Sequence, residues 1–144
     1  MDIKTLKEEH SKVSELTVKI KDKINSVGRN ISIEEAKSLR IYLVELFGLL
    51  KIHIEKEDQI LYPELLRSLD PQLRDAAASI MEENKKITQF MQSIESKSSV
   101  MEIYNLPNKF CTEFNNFSFK LLDRIKNEEL VLIRLIDIKK VEYT

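Results

Sequence analysis

His53-Ile54-Glu55-Lys56-Glu57-Asp58-Gln59-Ile60-Leu61-Tyr62-Pro63 sets an imidazole and a carboxylate four residues apart in an otherwise apolar helical stripe. Residues at i and i+4 share one face of a helix. Leu39, Leu43, Leu46 and Leu50 lead into His53 and Glu57 on that face, and Ile60 continues it. The pair therefore points where the leucines point, into a core. A buried imidazole and carboxylate need partners, so the reading turns on what the rest of the chain brings to the same level.

Three further stripes have the alternating three-and-four spacing of amphipathic helices. The first runs Leu6, His10, Val13, Thr17, Ile20, Ile24. The third runs Leu73, Ala77, Ile80, Asn84, Ile87, Met91, Ile94. The last runs Phe110, Phe114, Phe117, Leu121, Arg124, Glu128, Val131, Leu135, Ile138. Three breaks separate them. Gly28 suits the position after a helix, and Ser32 with Glu35 forms a capping box for the next one. Asp70 before Pro71 is an N-cap followed by a first-turn proline. Ser99 with Glu102 is a second box, but Pro107 follows so soon that a short helical piece must precede the last long helix. Pro63 should kink the second helix. The expected helices span about 2–27, 32–68, 71–96 and 106–140. With short connections, they predict a single domain over residues 1–144: an all-α, up-down-up-down antiparallel four-helix bundle.

Composition agrees. Of 144 residues, 42% are hydrophobic and 33% charged, with only 2 Gly and 3 Pro, a balance suited to long helices and not to turn-rich β folds. The net charge of −1 supplies no field to recruit nucleic acid or anionic lipid. No apolar run approaches the roughly 20 residues needed to cross a bilayer. The lone Cys111 excludes an internal disulfide, and the first ten residues lack the apolar segment of a signal peptide; both predict a cytoplasmic protein.

Each stripe is interrupted by polar residues once: His10, then His53 with Glu57, then Asn84, then Arg124 with Glu128. At about 1.5 Å per residue, all of them fall at one height, provided residues 98–106 are an extra connecting piece. Burying these groups costs several kcal/mol per ion unless they are paired or bind a metal. Two readings stay open. In one, the layer holds a metal. In the other, Arg124 neutralises the carboxylates directly.

With His10 in Leu-Lys-Glu-Glu-His and the 53–63 segment ending in Tyr62-Pro63, the chain resembles the hemerythrin-like, or HHE cation-binding, domains over roughly residues 2–138. That resemblance implies the same bundle with two irons sharing two bridging carboxylates. Carried over, His10, His53, Glu57 and Glu128 match one iron's ligands and both bridges. The other iron's histidine positions hold Asn84 and Arg124. The resemblance thus implies a half-complete site, with the Arg124 guanidinium in the second metal's place and paired with Glu57, Glu128 or both. Two imidazoles and two carboxylates suit one divalent ion, Fe(II), Mn(II) or Zn(II), with iron first by family; a di-iron centre is not expected. The expected function is a hemerythrin-like binding protein, metal-free or at most mononuclear, in a sensing or regulatory role. The alternative is a metal-free structural or interaction module.

Other chemistry finds no support. There is no nucleophile elbow and no glycine-rich phosphate loop, so no enzyme is expected. Glu129 should face away from the layer, Cys111 should be a packing residue, and Phe110, Phe114, Phe117 and Phe119 should fill the core. Residues 39–54 are apolar nearly all the way round, and Gly48 would admit a second helix closely. This surplus predicts a homodimer or a protein partner there, as does a similar excess at 130–138.

Overall fold

The computed structural model describes the backbone of residues 3–27 and 30–142 and the side chains of residues 4–27 and 30–131. The break expected at Gly28, and the side chains of Leu135 and Ile138, lie outside these. Helix α1 spans Ile3–Val27 and α2 spans Ile33–Lys56. A wide π turn, Glu57–Leu61, carries α2 into the short α3, Tyr62–Leu66. Helix α4 spans Pro71–Ser96, α5 spans Val100–Asn105 and α6 spans Pro107–Glu142. Helix α1 packs on α2 and α6, and α4 packs on α6 and α2. That closed ring of neighbours is the four-helix bundle. Helix α5 lies against α2 and α6, the extra connecting piece that the level of the polar layer required.

The helix starts follow the expected chemistry. Ser32 Oγ accepts from the Glu35 amide, and Glu35 Oε1 accepts from the Ser32 amide, both at 3.1 Å. Asp70 Oδ1 accepts from the Gln72 amide at 2.9 Å, with Pro71 at the first helical position. Ser99 and Glu102 repeat the reciprocal box at the start of α5. Such caps satisfy amides that the helix leaves without partners. At the far end of α4, Arg40 Nη1 donates to the carbonyls of Glu95 and Ser98 at 3.1 and 3.0 Å, tying α2 to that terminus.

The stripes of α1 and α4 are buried at every expected position. The α2 stripe fails at one residue: Ile60 is exposed and Leu61 is buried in its place. The wide turn is the cause. Tyr62 N–H donates to the Glu57 carbonyl five residues back, so one extra residue enters the turn and the register slips by one. Pro63, which has no N–H, follows at once. The kink expected at Pro63 is thus taken up as a widened turn ahead of it. Phe119 is a second correction. It is 74% exposed, whereas Phe110, Phe114 and Phe117 are buried. Phe119 lies two residues beyond Phe117, which puts it on another side of α6.

The core falls into two apolar clusters. The larger joins Val13, Ile20, Leu43, Leu50, Ile87, Phe114 and Leu121 with their neighbours. The smaller joins Leu6, Leu61, Tyr62, Leu65, Leu73, Ala77 and Ile80. Along each long helix the polar interruption lies where one cluster gives way to the other. His10 follows Leu6 and precedes Val13, and Asn84 follows Ile80 and precedes Ile87. The polar layer is sealed above and below by packed apolar side chains. No helix among the described residues is long and apolar enough to cross a membrane.

Candidate metal centre

Four helical segments supply the candidate ligands. His10 comes from α1, His53 from the last turn of α2, Glu57 from the start of the wide turn and Glu128 from α6. All four are buried, none more than 2% exposed. One ligand atom from each lies within 4.8 Å of the others. The expected set is therefore brought together whole.

The contacts have a consistent direction. His53 Nδ1 lies 2.6 Å from Glu9 Oε2, and His10 Nδ1 lies 3.3 Å from Glu129 Oε1. An outer carboxylate holding Nδ1 fixes the imidazole so that Nε2 faces inward, the usual support of a metal-ligating histidine. The inward atoms crowd together. His10 Nε2 lies 2.7 Å from Glu128 Oε1, and His53 Nε2 lies 3.1 Å from Glu57 Oε1 and 3.8 Å from Glu128 Oε1. Yet His10 Nε2, His53 Nε2 and Glu128 Oε1 make no well-directed hydrogen bond. Buried polar atoms without partners are rare and need an explanation. A shared cation would supply one.

The other half of the layer is closed by Arg124, itself 2% exposed. Its Nη2 donates to Glu57 Oε1 at 2.8 Å and to Glu128 Oε2 at 2.6 Å. Both carboxylates are thus paired, one of the alternatives the sequence left open. Tyr62 is the addition. Its hydroxyl donates to Glu128 Oε2 at 2.6 Å and sits 3.0 Å from Glu57 Oε2. The same oxygen accepts from Asn84 Nδ2 at 2.9 Å and lies 3.1 Å from Arg124 Nη2. Asn84 thus joins the layer through Tyr62 and not through a metal-facing atom. In an unbroken α-helix Tyr62 would sit well round from Glu57. The wide turn stacks it five residues on, over the same site.

The electrostatics follow from burial. Burial, then the facing Glu128, push the Glu57 carboxyl up to about 10 despite Arg124 beside it. Burial works on Glu128 in the same sense. There, the close approach of Glu57, His10 and His53, and the Arg124 charge, outweigh it and hold the group well below the usual carboxylate range. The two facing carboxyls are thus driven in opposite directions, Glu57 up and Glu128 down. Burial raises the Tyr62 phenol, which stays a donor. Burial would lower Arg124, but Glu57 and Glu128 outweigh it and keep the guanidinium charged. Glu9 is held low, because its bonds to His53 and Lys56 overcome its partial burial.

Glu9, Glu129 and Tyr62 touch the candidate ligands, and sequence reasoning did not place them in the site. Glu129 corrects an expectation. It does not turn away from the layer but rises at its edge, 39% exposed, to meet His10. For Glu9 a signal was present: it precedes His10 and lies 2.6 Å from Lys56, which precedes Glu57. Rim residues on adjoining helices commonly pair this way, but nothing in the order of residues marks which rim residue reaches an imidazole.

The residues fit one ion and not two. The His10, His53, Glu57 and Glu128 donors converge on one place, whereas the Asn84 and Arg124 positions offer an amide already engaged and a fixed positive charge. A divalent ion a few Å from a guanidinium meets repulsion of several kcal/mol at an effective dielectric constant of about 20. The carboxylates between them offset it. No curated protein and no solved structure matches the chain. A family model, the hemerythrin HHE cation-binding domain, matches residues 1–136. With that match spanning nearly the whole chain, over a bundle whose polar layer holds the expected ligand cluster, the protein belongs to the hemerythrin HHE cation-binding domain family.

Proposed function

We propose that this protein is a hemerythrin-like binding protein with a reduced, mononuclear metal site, serving a sensing or regulatory role and not turnover. His10, His53, Glu57 and Glu128 would hold the ion, and iron is the first candidate. One observation carries the reading. Both imidazoles are anchored at Nδ1 by outer carboxylates while their Nε2 atoms face two buried carboxylates without a directed hydrogen bond. When bound, the ion would supply a redox-active or ligand-binding centre in a water-poor layer. Glu9 and Glu129 orient the imidazoles, Tyr62 orients Glu128, and Arg124 limits the site to one ion.

A second reading has its own support. Arg124 already pairs with both buried carboxyls, at 2.8 and 2.6 Å, so the layer carries a counter-cation of its own without a metal. In that form the protein is a structural or interaction module. Metal analysis separates the two. Protein purified without a tag and loaded with Fe(II) anaerobically should retain about one equivalent, and His53→Ala should lose it. No retained metal after loading with Fe(II), Mn(II) or Zn(II) would sink the single-metal reading.

A further inference from the structure

His10, His53, Glu57 and Glu128 are each 2% exposed or less, so an ion reaches their inward atoms only when one of the four side chains moves aside. Three of them are clamped. Arg124 Nη2 joins Glu57 to Glu128 at 2.8 and 2.6 Å, and the Tyr62 hydroxyl adds a 2.6 Å bond to Glu128. His53 is held from outside. Its Nδ1 lies 2.6 Å from Glu9 Oε2, and Lys56 Nζ donates to Glu9 Oε1, also at 2.6 Å. His53 and Lys56 share the last turn of α2, so imidazole, carboxylate and ammonium close a loop on that turn. Short bonds of this kind, with a charged partner, are the strong ones. His10 lacks such a clamp. Its Nδ1 stands 3.3 Å from Glu129 Oε1, and among the described residues Glu129 has His10, and no lysine or arginine, as its ion-pair partner. The Glu129 side chain is 39% exposed, that of Glu9 only 21%. On the inner side, His10 Nε2 approaches Glu128 Oε1 to 2.7 Å without a directed hydrogen bond, and its ring meets the His53 ring edge-on, 4.7 Å between centroids.

We propose that His10 is the ligand that swings aside to admit and release the ion, past Glu129 on the α1–α6 side, while the Lys56–Glu9 pair keeps His53 as the fixed ligand; this rests on the mononuclear reading above. The two outer carboxylates then do different work. Glu9 is a positioning residue, set in place by Lys56, and acts on the bound state. Loss of such an outer partner lowers metal affinity. Glu129 stands at the surface against the one imidazole that is free to turn, so it is the first carboxylate an entering cation meets. A group that holds the ion only in passage lowers the barrier in both directions and leaves affinity nearly unchanged.

The test measures Zn(II) uptake and its loss to a coloured chelator by stopped flow, with affinity from competition at equilibrium. Lys56→Met should release Zn(II) about tenfold faster at unchanged uptake and bind it about tenfold more weakly, whereas Lys56→Arg should keep the parent's rates. The Lys56 side chain is 44% exposed, so neither change disturbs the core. Glu129→Gln should slow uptake and release together by about fivefold, with affinity within about twofold of the parent. In metal-free protein, NMR relaxation dispersion on the ring signals should show His10 exchanging on the μs–ms scale and His53 still. Faster release and weaker binding in Glu129→Gln, matching Lys56→Met, would make Glu129 a second clamp and overturn the proposal. Two rings alike in dispersion would overturn it as well. One equivalent retained with the parent's rates in both Lys56→Met and Glu129→Gln would remove this inference alone, whereas no Zn(II) retained by the parent would remove the metal site and the moving ligand with it.

Discussion

At the scale of single residues, Arg124 decides what the layer is. Replacing it by Met leaves two buried carboxyls with no cation. Removing one partner of a buried ion pair costs about 3–5 kcal/mol, so metal-free Arg124→Met should unfold at much lower denaturant than the parent. Added Fe(II) or Zn(II) should recover most of the loss, because a ligand that binds only the folded state stabilises it by mass action. Unfolding midpoints with and without metal check this. A variant equally destabilised in both would mean that the carboxylates do not serve a metal. The companion change, Asn84→His with Arg124→His, restores imidazoles at the second half of the site. Metal content should rise from about one equivalent towards two, the number the family pattern implies. Tyr62 has a narrower effect. Tyr62→Phe removes the hydroxyl that Glu128 and Asn84 share and should cost about 1–3 kcal/mol, since both are left buried with fewer bonds. At about 2–4 °C per kcal/mol for a chain of this length, calorimetry resolves that loss. Four of the layer's residues were legible in the sequence because each interrupts an apolar stripe. Arg124 and Asn84 were legible for the same reason, and of the pairings left open for Arg124, with Glu57, Glu128 or both, the geometry shows both. Tyr62 was not, because its place depends on a departure from the α-helical period that no stripe announces.

At the scale of elements, local chemistry and tertiary packing divide the work. The starts of α2, α4 and α5 were written in four-residue signals: Ser32 with Glu35, Asp70 with Pro71, Ser99 with Glu102. These depend only on near neighbours, so the sequence carries them in full. Ser32→Ala should lower stability by about 1 kcal/mol, read from the urea midpoint at unchanged slope. The turn at Glu57–Leu61 is of the other kind. Pro63 warns of a lost hydrogen bond, but whether the helix bends or widens depends on what must meet across the core. Here Leu61 and Tyr62 are both buried, and only the added residue lets them follow Glu57 on the inner face. The exposed Ile60 is the residue displaced by that choice. The extra helix α5 was legible by a different route. Levelling the polar groups demanded a spacer at 98–106, so the site's chemistry predicted a piece of topology.

At the scale of the whole molecule, the apolar surplus of α2 takes a definite form. Ile41, Val44 and Ile52 are 66%, 49% and 55% exposed, and a Cβ at Gly48 would meet no atom within 4 Å. At about 100° per residue, these positions share one face with the exposed Glu45 and Lys51. Glu45 and Lys51 lie three residues to either side of Gly48, and Val44 and Ile52 lie four to either side. An antiparallel pair of α2 helices crossing at Gly48 would therefore set Glu45 against Lys51 and Val44 against Ile52, twice each. That is the self-complementarity a two-fold interface requires. We propose a homodimer through this face. Sedimentation at tens of micromolar should show the dimer. Lys51→Glu places like charges opposite one another twice and should weaken association about tenfold, whereas Glu45→Lys with Lys51→Glu restores opposite charges and should recover it. Gly48→Ala separates the two roles of that residue. As an exposed helix interior position it should gain about 1 kcal/mol in the monomer, while the added methyl at the crossing should loosen the dimer. A monomer at every concentration, or a double swap no better than the single one, would remove the second copy as the occupant of this face.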